Sequence, residues 1–222
     1  MISIVIPCHN EEKGVKDVIL RLPQSVEVIV VDNNCSDRTA EVARGLGARV
    51  VAEKVSGYGA AIKKGLASAT GELVVVLDGD GQYPADKILE VKSFLERQKL
   101  DFVSCARFPL QNKKALTPTR RLGNWGLTLA VNLLFGLKLK DSQSGMWVFK
   151  RSVLNKIRLE NDSMPFSEEI KIKAATAKGI AFGEYPIAYE PRVGESSLFP
   201  LKHGWQNLVY LFKLKREKLW KR

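Results

Sequence analysis

Glu72-Leu73-Val74-Val75-Val76-Leu77, followed by Asp78-Gly79-Asp80-Gly81-Gln82, is the stretch from which the rest of the chain is read. The apolar run is too short for a helix and rich in valine, so it predicts a strand buried on both faces. The acids then stand at its carboxyl end, the edge of an open α/β sheet where ligands bind. Two carboxylates one residue apart, with glycines between and after them, make a compact set of hard oxygens that suits Mg²⁺ or Mn²⁺ against phosphates. Gln82 would add a neutral oxygen. Asp-Gly is also a common turn pair, so the reading needs support from elsewhere in the chain.

On the amino-terminal side the pattern repeats. Ile2-Ser3-Ile4-Val5-Ile6 predicts a strand stopped by Pro7 and followed by the polar Cys8-His9-Asn10-Glu11-Glu12. Val15, Val18, Ile19 and Leu22 then recur at helical spacing. Val26 to Val31 predicts a second strand ending in Asp32, with a helix through Ala40, Val42, Ala43 and Leu46 that Gly47 ends. Ala48 to Ala52 reads as a third strand, and Ser56-Gly57-Tyr58-Gly59-Ala60-Ala61 opens a helix closed near Gly71. After the central acids come a helix from about Pro84 to Lys99 and a strand from Asp101 to Cys105. Such alternation with short loops predicts a doubly wound, mostly parallel, Rossmann-like α/β sheet flanked by helices. Asn10-Glu11, Asp32 and Asp78/Asp80 would then share one edge.

Beyond Arg107 the pattern changes. A basic loop with Lys113, Lys114, Arg120 and Arg121 precedes an apolar stretch from Leu122 to Leu139, interrupted by glycine and asparagine. Asp141-Ser142-Gln143-Ser144-Gly145 leads into a strand from Met146 to Phe149. Phe166 to Lys178 reads as a helix bearing Glu168 and Glu169, and Ile180 to Ile187 as a strand. From His203 onward apolar and aromatic residues are mixed with cations.

The chain of 222 residues is long enough for one domain, 1–222, with a first half at 1–106, a second at 107–199 and a tail at 200–222. Its net charge of +11 is regional: residues 107–158 hold eleven Lys/Arg against Asp141 alone, and residues 200–222 hold seven against Glu217 alone. An anionic partner on one side of the molecule is expected: nucleic acid, a phosphorylated substrate or an anionic membrane. Aromatic residues in the basic segment cluster in apolar runs instead of alternating with cations, and no nucleic-acid module signature is visible, which argues against nucleic acid. Cys8, Cys35 and Cys105 lack metal or disulfide spacing, and His9 and His203 lie far apart. No charged-then-apolar leader is visible, and no run reaches the roughly 18 to 20 apolar residues that cross a bilayer. The expectation is a cytoplasmic protein, or one peripheral to the cytosolic face of a membrane.

Ile4 to Glu12, Val30 to Asp37, Gly57 to Ala61 and Leu77 to Gln82 together resemble a family 2 glycosyltransferase with the GT-A fold. Asp141 to Gly145 resembles the dolichol-phosphate mannose synthase-like branch, which moves a sugar from a nucleotide donor to a polyprenyl phosphate. The resemblance implies an inverting, metal-dependent transfer of a hexose from GDP or UDP. It implies Pro7, Asn10 and Glu11 at the nucleoside, Asp32 at the base, Gly57 near the donor, and Asp78, Asp80 and Gln82 at the metal and diphosphate. It implies Arg107, Arg120 or Arg121, and Ser144 at the acceptor phosphate, a task to which arginine's planar fork is suited. Asp141 would orient the acceptor arginines, placing Asp80, Arg107, Arg121 and Asp141 at the catalytic centre. Arg192 with Gly194-Glu195-Ser196 resembles a late loop over the diphosphate, though Ser197 stands where that branch often has lysine.

Glu168 and Glu169 stand where family members with hydroxyl acceptors carry a base, a role an anionic acceptor does not need. A soluble hydroxyl acceptor is therefore the first rival, and a nucleic-acid-binding protein the second. A sugar nucleotidyltransferase would need a glycine-rich loop after Ile6, which is missing. The segments Trp125 to Phe135 and Trp205 to Trp220 have the make-up of interfacial helices, or else of helices packed on the sheet. Recruitment to a membrane would rest on that surface or on an anchoring partner protein.

Overall fold

The computed structural model describes residues 1–194 and 200–220. Its strands are β1 (Ile2–Cys8), β2 (Glu27–Asp32), β3 (Arg49–Ala52), β4 (Leu73–Val76), β5 (Phe102–Ala106), β6 (Trp147–Lys150) and β7 (Phe182–Pro186). The helices are α1 (Glu12–Leu20), α2 (Thr39–Gly45), α3 (Tyr58–Ser68), α4 (Ile88–Arg97), α5 (Pro118–Phe135), α6 (Phe166–Thr176) and α7 (Pro200–Trp220).

All seven strands form one sheet in the order β3-β2-β1-β4-β6-β5-β7. Pairings are parallel except at β6, which runs antiparallel to both β4 and β5. That reversal brings the loop before β6 to the same edge as the loops after the parallel strands. Residues 141–145 therefore reach the carboxyl edge although they precede their strand.

Alternation along the strands sorts side chains onto two faces. Ile4, Ile6, Val30, Val75 and Val103 pack with Val15, Ala43, Ile88 and Leu95 from α1, α2 and α4. Val5, Val31, Val74, Phe102 and Trp147 pack with Ile62 and Leu66 of α3 and with Phe166 and Ile170 of α6. A third cluster joins Val131 of α5, Ile172 of α6, and Leu211 and Leu214 of α7. α6 is thus covered on its outer side as well.

Pro7 does not end the first strand, which runs to Cys8 with Pro7 opposite Val31. Val5 O accepts from Leu77 N on the β4 side, and Pro7, two residues on, faces the same side beyond the last β1–β4 pair. No ladder donor is lost there, so proline is tolerated. The helix expected over Trp125 to Phe135 begins earlier: Thr117 caps α5 by accepting from Arg120 N at 3.3 Å, with Pro118 at the first position.

Candidate active site

A cleft of about 570 Å³ opens at the carboxyl edge of the sheet. Pro7, Cys8, His9 and Glu11 enter it after β1, Asn33 after β2, Gly57 and Tyr58 at the start of α3, and Asp78 to Tyr83 after β4. Arg107 enters after β5, Gln143 and Gly145 before β6, and Tyr189 and Arg192 after β7. Lys202, His203, Gln206 and Asn207 of α7 form its outer wall. A second depression of about 730 Å³ lies at the opposite edge, where Lys92 is paired with Glu96 and Lys150 with Asp101.

Three carboxylates meet at one end of the cleft. Arg192 bridges two of them, pairing with Asp80 Oδ2 at 2.7 Å and with Glu11 Oε1. Asp78 is half-buried and its Oδ1 accepts from the Tyr58 hydroxyl at 2.9 Å. Burial pushes the Glu11 carboxyl up to about 7, against the opposing pull of Arg192. Burial, and then the charge of Asp80, hold Asp78 well above the usual carboxylate range. Three acids against one guanidinium leave negative charge in want of a cation.

That donor set fits a divalent ion. Asp78 and Asp80 supply hard oxygens one residue apart, and Mg²⁺ or Mn²⁺ commonly takes one or two carboxylates and completes its shell from water and substrate phosphates. Among the described residues no group of three or more His, Cys, Asp or Glu is arranged as a self-sufficient metal cage. Gln82 does not present a free oxygen here: its Oε1 accepts from Tyr189 at 2.8 Å and its Nε2 donates to Glu190 O at 2.9 Å.

The neighbouring wall is cationic but its charges are fixed. Arg107 donates through Nε and Nη2 to Asp141 at 2.7 and 2.9 Å, and both side chains are buried. Its guanidinium also lies 5.2 Å from the centre of the Tyr189 ring. Ser144 Oγ donates to Cys105 O and is fully buried, so its hydroxyl faces away from the cleft. The Gly145 amide donates to the Tyr83 hydroxyl at 2.6 Å. A Cβ on Gly145 would come 2.7 Å from Tyr58 Oη and 2.8 Å from Asp78 Oδ2, so only glycine lets this loop lie against the acids.

The remaining expected residues are not brought into the cleft lining. Asn10 and Asp32 knit the loops after β1 and β2, with Asn10 Oδ1 accepting from Ser36 N at 2.7 Å and Asp32 Oδ1 from Cys35 N at 2.9 Å. Arg120 and Arg121 sit half-buried in the first turn of α5, outside the cleft. Asp141 acts on the site through Arg107. Glu195, Ser196 and Ser197 lie outside the described residues.

Neither acid at the start of α6 lines the cleft. Glu169 accepts from the backbone of Glu160 and Asn161 at 3.0 and 2.9 Å and pairs with Lys173 at 2.6 Å. Glu168 is fully buried behind Gln143. Residues that the sequence reading left out are the hydroxyls of Tyr58, Tyr83 and Tyr189, the buried Lys171, and α7's Asn207. Tyr58 lay inside a quoted glycine-rich motif; for Tyr189 no local pattern marks the role.

The glycosyl transferase family 2 model matches residues 3–158. The chain belongs to that family. This family 2 glycosyltransferase is 28% identical to a low-salt glycan biosynthesis hexosyltransferase of Haloferax volcanii over 95% of this chain and 52% of that one. It therefore spans about half of that relative's length. It is 29% identical to a dolichyl-phosphate hexose transferase of the same organism, over 91% of this chain and 89% of that one. Among solved structures, glucosyl-3-phosphoglycerate synthase from Mycobacterium tuberculosis, in complex with Mn²⁺, UDP-glucose and phosphoglyceric acid, superposes with a TM-score of 0.74. That likeness covers 97% of this family 2 enzyme and 79% of the synthase at 20% identity, and shows a shared fold.

Proposed function

We propose that this enzyme moves a hexose from a nucleoside diphosphate, GDP- or UDP-linked, to a lipid-linked phosphate such as a polyprenyl phosphate, with inversion at the sugar carbon. The observation that carries the donor half is the meeting of Glu11, Asp78 and Asp80 with Arg192 at the carboxyl ends of β1 and β4. A divalent cation held by Asp78 and Asp80 would offset the charge that builds on the departing diphosphate. Arg192 stands beside the same acids and would share that task. Pro7, Gly57 and Asn33 wall the cleft on the side expected to take the nucleoside.

The acceptor half rests on the cationic wall and on the two acids at the start of α6 lying outside the cleft lining. A phosphate is already an anionic nucleophile near neutral pH, so transfer needs positioning more than deprotonation. Glu168 and Glu169 are both turned to other partners, which disfavours the hydroxyl-acceptor rival. Arg107 lines the cleft with its charge held in place by Asp141, and Lys202 faces it from α7. The dolichyl-phosphate hexose transferase relative supports the same acceptor class.

Incubation with Mn²⁺ or Mg²⁺, a panel of GDP- and UDP-sugars and a short polyprenyl phosphate tests the reading. Turnover is expected with one donor, and Asp80→Asn should lower it by roughly a hundredfold or more. Wild-type turnover in Asp80→Asn, or donor use without any phosphate acceptor's stimulation, would overturn it.

A further inference from the structure

α5 and α7 pack on each other, and each leaves an apolar stripe facing outward. Leu122, Trp125, Leu129 and Leu133 of α5 are 69, 63, 42 and 76% exposed. They recur three or four residues apart and so share one helical face. Leu201, Trp205, Val209 and Phe212 of α7, spaced in the same way, are 85, 68, 50 and 59% exposed. The inward sides of both helices are already used, since Val131, Leu211 and Leu214 form the cluster that joins them to α6. A Cβ on Gly126, within the α5 stripe, would meet nothing within 4 Å. Single exposed apolar residues are ordinary, but eight on two adjoining helices mark a contact surface.

The charges around the stripes say what contacts them. Residues 107–140 contain seven Lys/Arg and no acid, and Glu217 is α7's one carboxylate. Lys113, Lys114 and Lys138 are exposed near the ends of α5, as are Lys202, Lys213 and Arg216 along α7. A second copy of this chain would have to bring these like charges together, because a two-fold interface sets the same patch against itself. An anionic bilayer meets both features at once: apolar side chains enter the acyl boundary and cations lie at the headgroup phosphates. Among the described residues no helix is long and apolar enough to cross a membrane, and one-sided apolar stripes along two helices suit an interfacial contact.

We propose that α5 and α7 form a docking surface for an anionic lipid bilayer, with α7 as the shared wall between bilayer and cleft. Another side of α7 presents Lys202, His203, Gln206 and Asn207 to the cleft. Asn207 Nδ2 donates to Gln143 Oε1 at 2.9 Å, within the loop that carries Gly145 to the acids. Docking through the stripes sets the cleft beside the headgroups, where a phosphate whose chain stays in the lipid can reach it. This deepens the proposed lipid-phosphate reaction and rests on it for its purpose, although not for its test.

The test is flotation of the full chain, without donor, on vesicles of phosphatidylcholine containing phosphatidylglycerol and on vesicles of phosphatidylcholine alone. Binding is expected to the anionic vesicles and to weaken as salt is raised from about 0.1 to about 1 M. Two double variants, Trp125→Glu with Leu133→Glu and Trp205→Glu with Phe212→Glu, should each weaken it more than about tenfold. Both should keep the wild-type melting temperature and nucleoside diphosphate binding. Absence of vesicle binding by the wild type, or wild-type binding by both variants, overturns the surface. So does a lipid-free dimer in light scattering that the same substitutions dissolve. Turnover of a short, water-soluble polyprenyl phosphate without vesicle binding would remove the docking surface and leave the reaction standing; vesicle binding without turnover would support the surface and remove the reaction.

Discussion

Burial holds the Glu168 carboxyl up at about 8, and three residues along the same helix it holds the Lys171 amine down to about 7. Lys171 is nonetheless well bonded, donating to Ser144 O at 2.6 Å and to Ser167 Oγ at 3.1 Å, so it supports the 141–145 loop from behind. Glu168 is less well provided for, since Gln143 serves one oxygen and the other has no hydrogen-bond partner. Between its ordinary 4.5 and about 8, the folded protein keeps a proton on Glu168 that the unfolded chain has released. Its contribution to stability therefore falls as pH rises through that window. Lys171 acts in the opposite sense between about 7 and its ordinary 10.5, where the unfolded chain holds the extra proton. Glu168→Gln mimics the protonated acid and removes the first effect alone. The melting temperature of the variant relative to wild type should climb between about pH 5 and pH 8, by roughly 5 °C or more. Scanning calorimetry across that range checks it, and a flat difference would mean that the charge of Glu168 is compensated.

The acids after β4 owe their position to the helix pressed on them. A Cβ on Gly14 of α1 would collide with Gly79 O and stand 2.8 Å from Asp80 Cα. Backbone has little room to give, so Gly14→Ala should cost about 1–3 kcal/mol of stability and displace Asp80. Urea midpoints and calorimetry of metal-dependent nucleoside diphosphate binding would both fall; a change in neither would mean that the loop holds its place without α1. This contact links two elements that were each legible from sequence, because the valine-rich runs and helical spacings up to Ala106 agree with one another. The second half was harder to read for definite reasons. A four-residue strand carries no mark of its direction, so the reversal of β6, and with it the arrival of Gly145 at Asp78, follows from how the chain passes through α5. Glu168, Glu169 and Lys171 look like a solvated helix face, yet all three are buried because α5 and α7 cover α6. That Asp141 would pair with an acceptor arginine is implied by the resemblance, but that the arginine is Arg107 depends on β5 and β6 lying side by side.

Closing the site requires the end of the sheet order to return to its centre. β7 is an edge strand, whereas Glu11 and Asp80 follow the interior strands β1 and β4. The chain leaving β7 is laced across by Gln82 Nε2 to Glu190 O at 2.9 Å, Glu190 N to Gln82 O at 3.0 Å and Val193 N to Asp80 O at 2.9 Å. Those bonds deliver Arg192 between the two acids, where it offsets part of their charge. A divalent ion held by Asp78 and Asp80 would have to share Asp80 with this guanidinium, and a diphosphate would bring negative charge enough for both. Arg192→Ala should accordingly change two affinities in opposite directions. Mn²⁺ alone should bind several-fold more tightly, because its rival is gone, whereas nucleoside diphosphate in the presence of Mn²⁺ should bind roughly tenfold more weakly, because a cation facing its phosphates is gone. Titration of Mn²⁺ by electron paramagnetic resonance and of the nucleotide by calorimetry reads the two separately. If both affinities fell together, Arg192 would be holding the 190–193 segment in place instead of balancing charge at the acids, and a lowered melting temperature would accompany the loss.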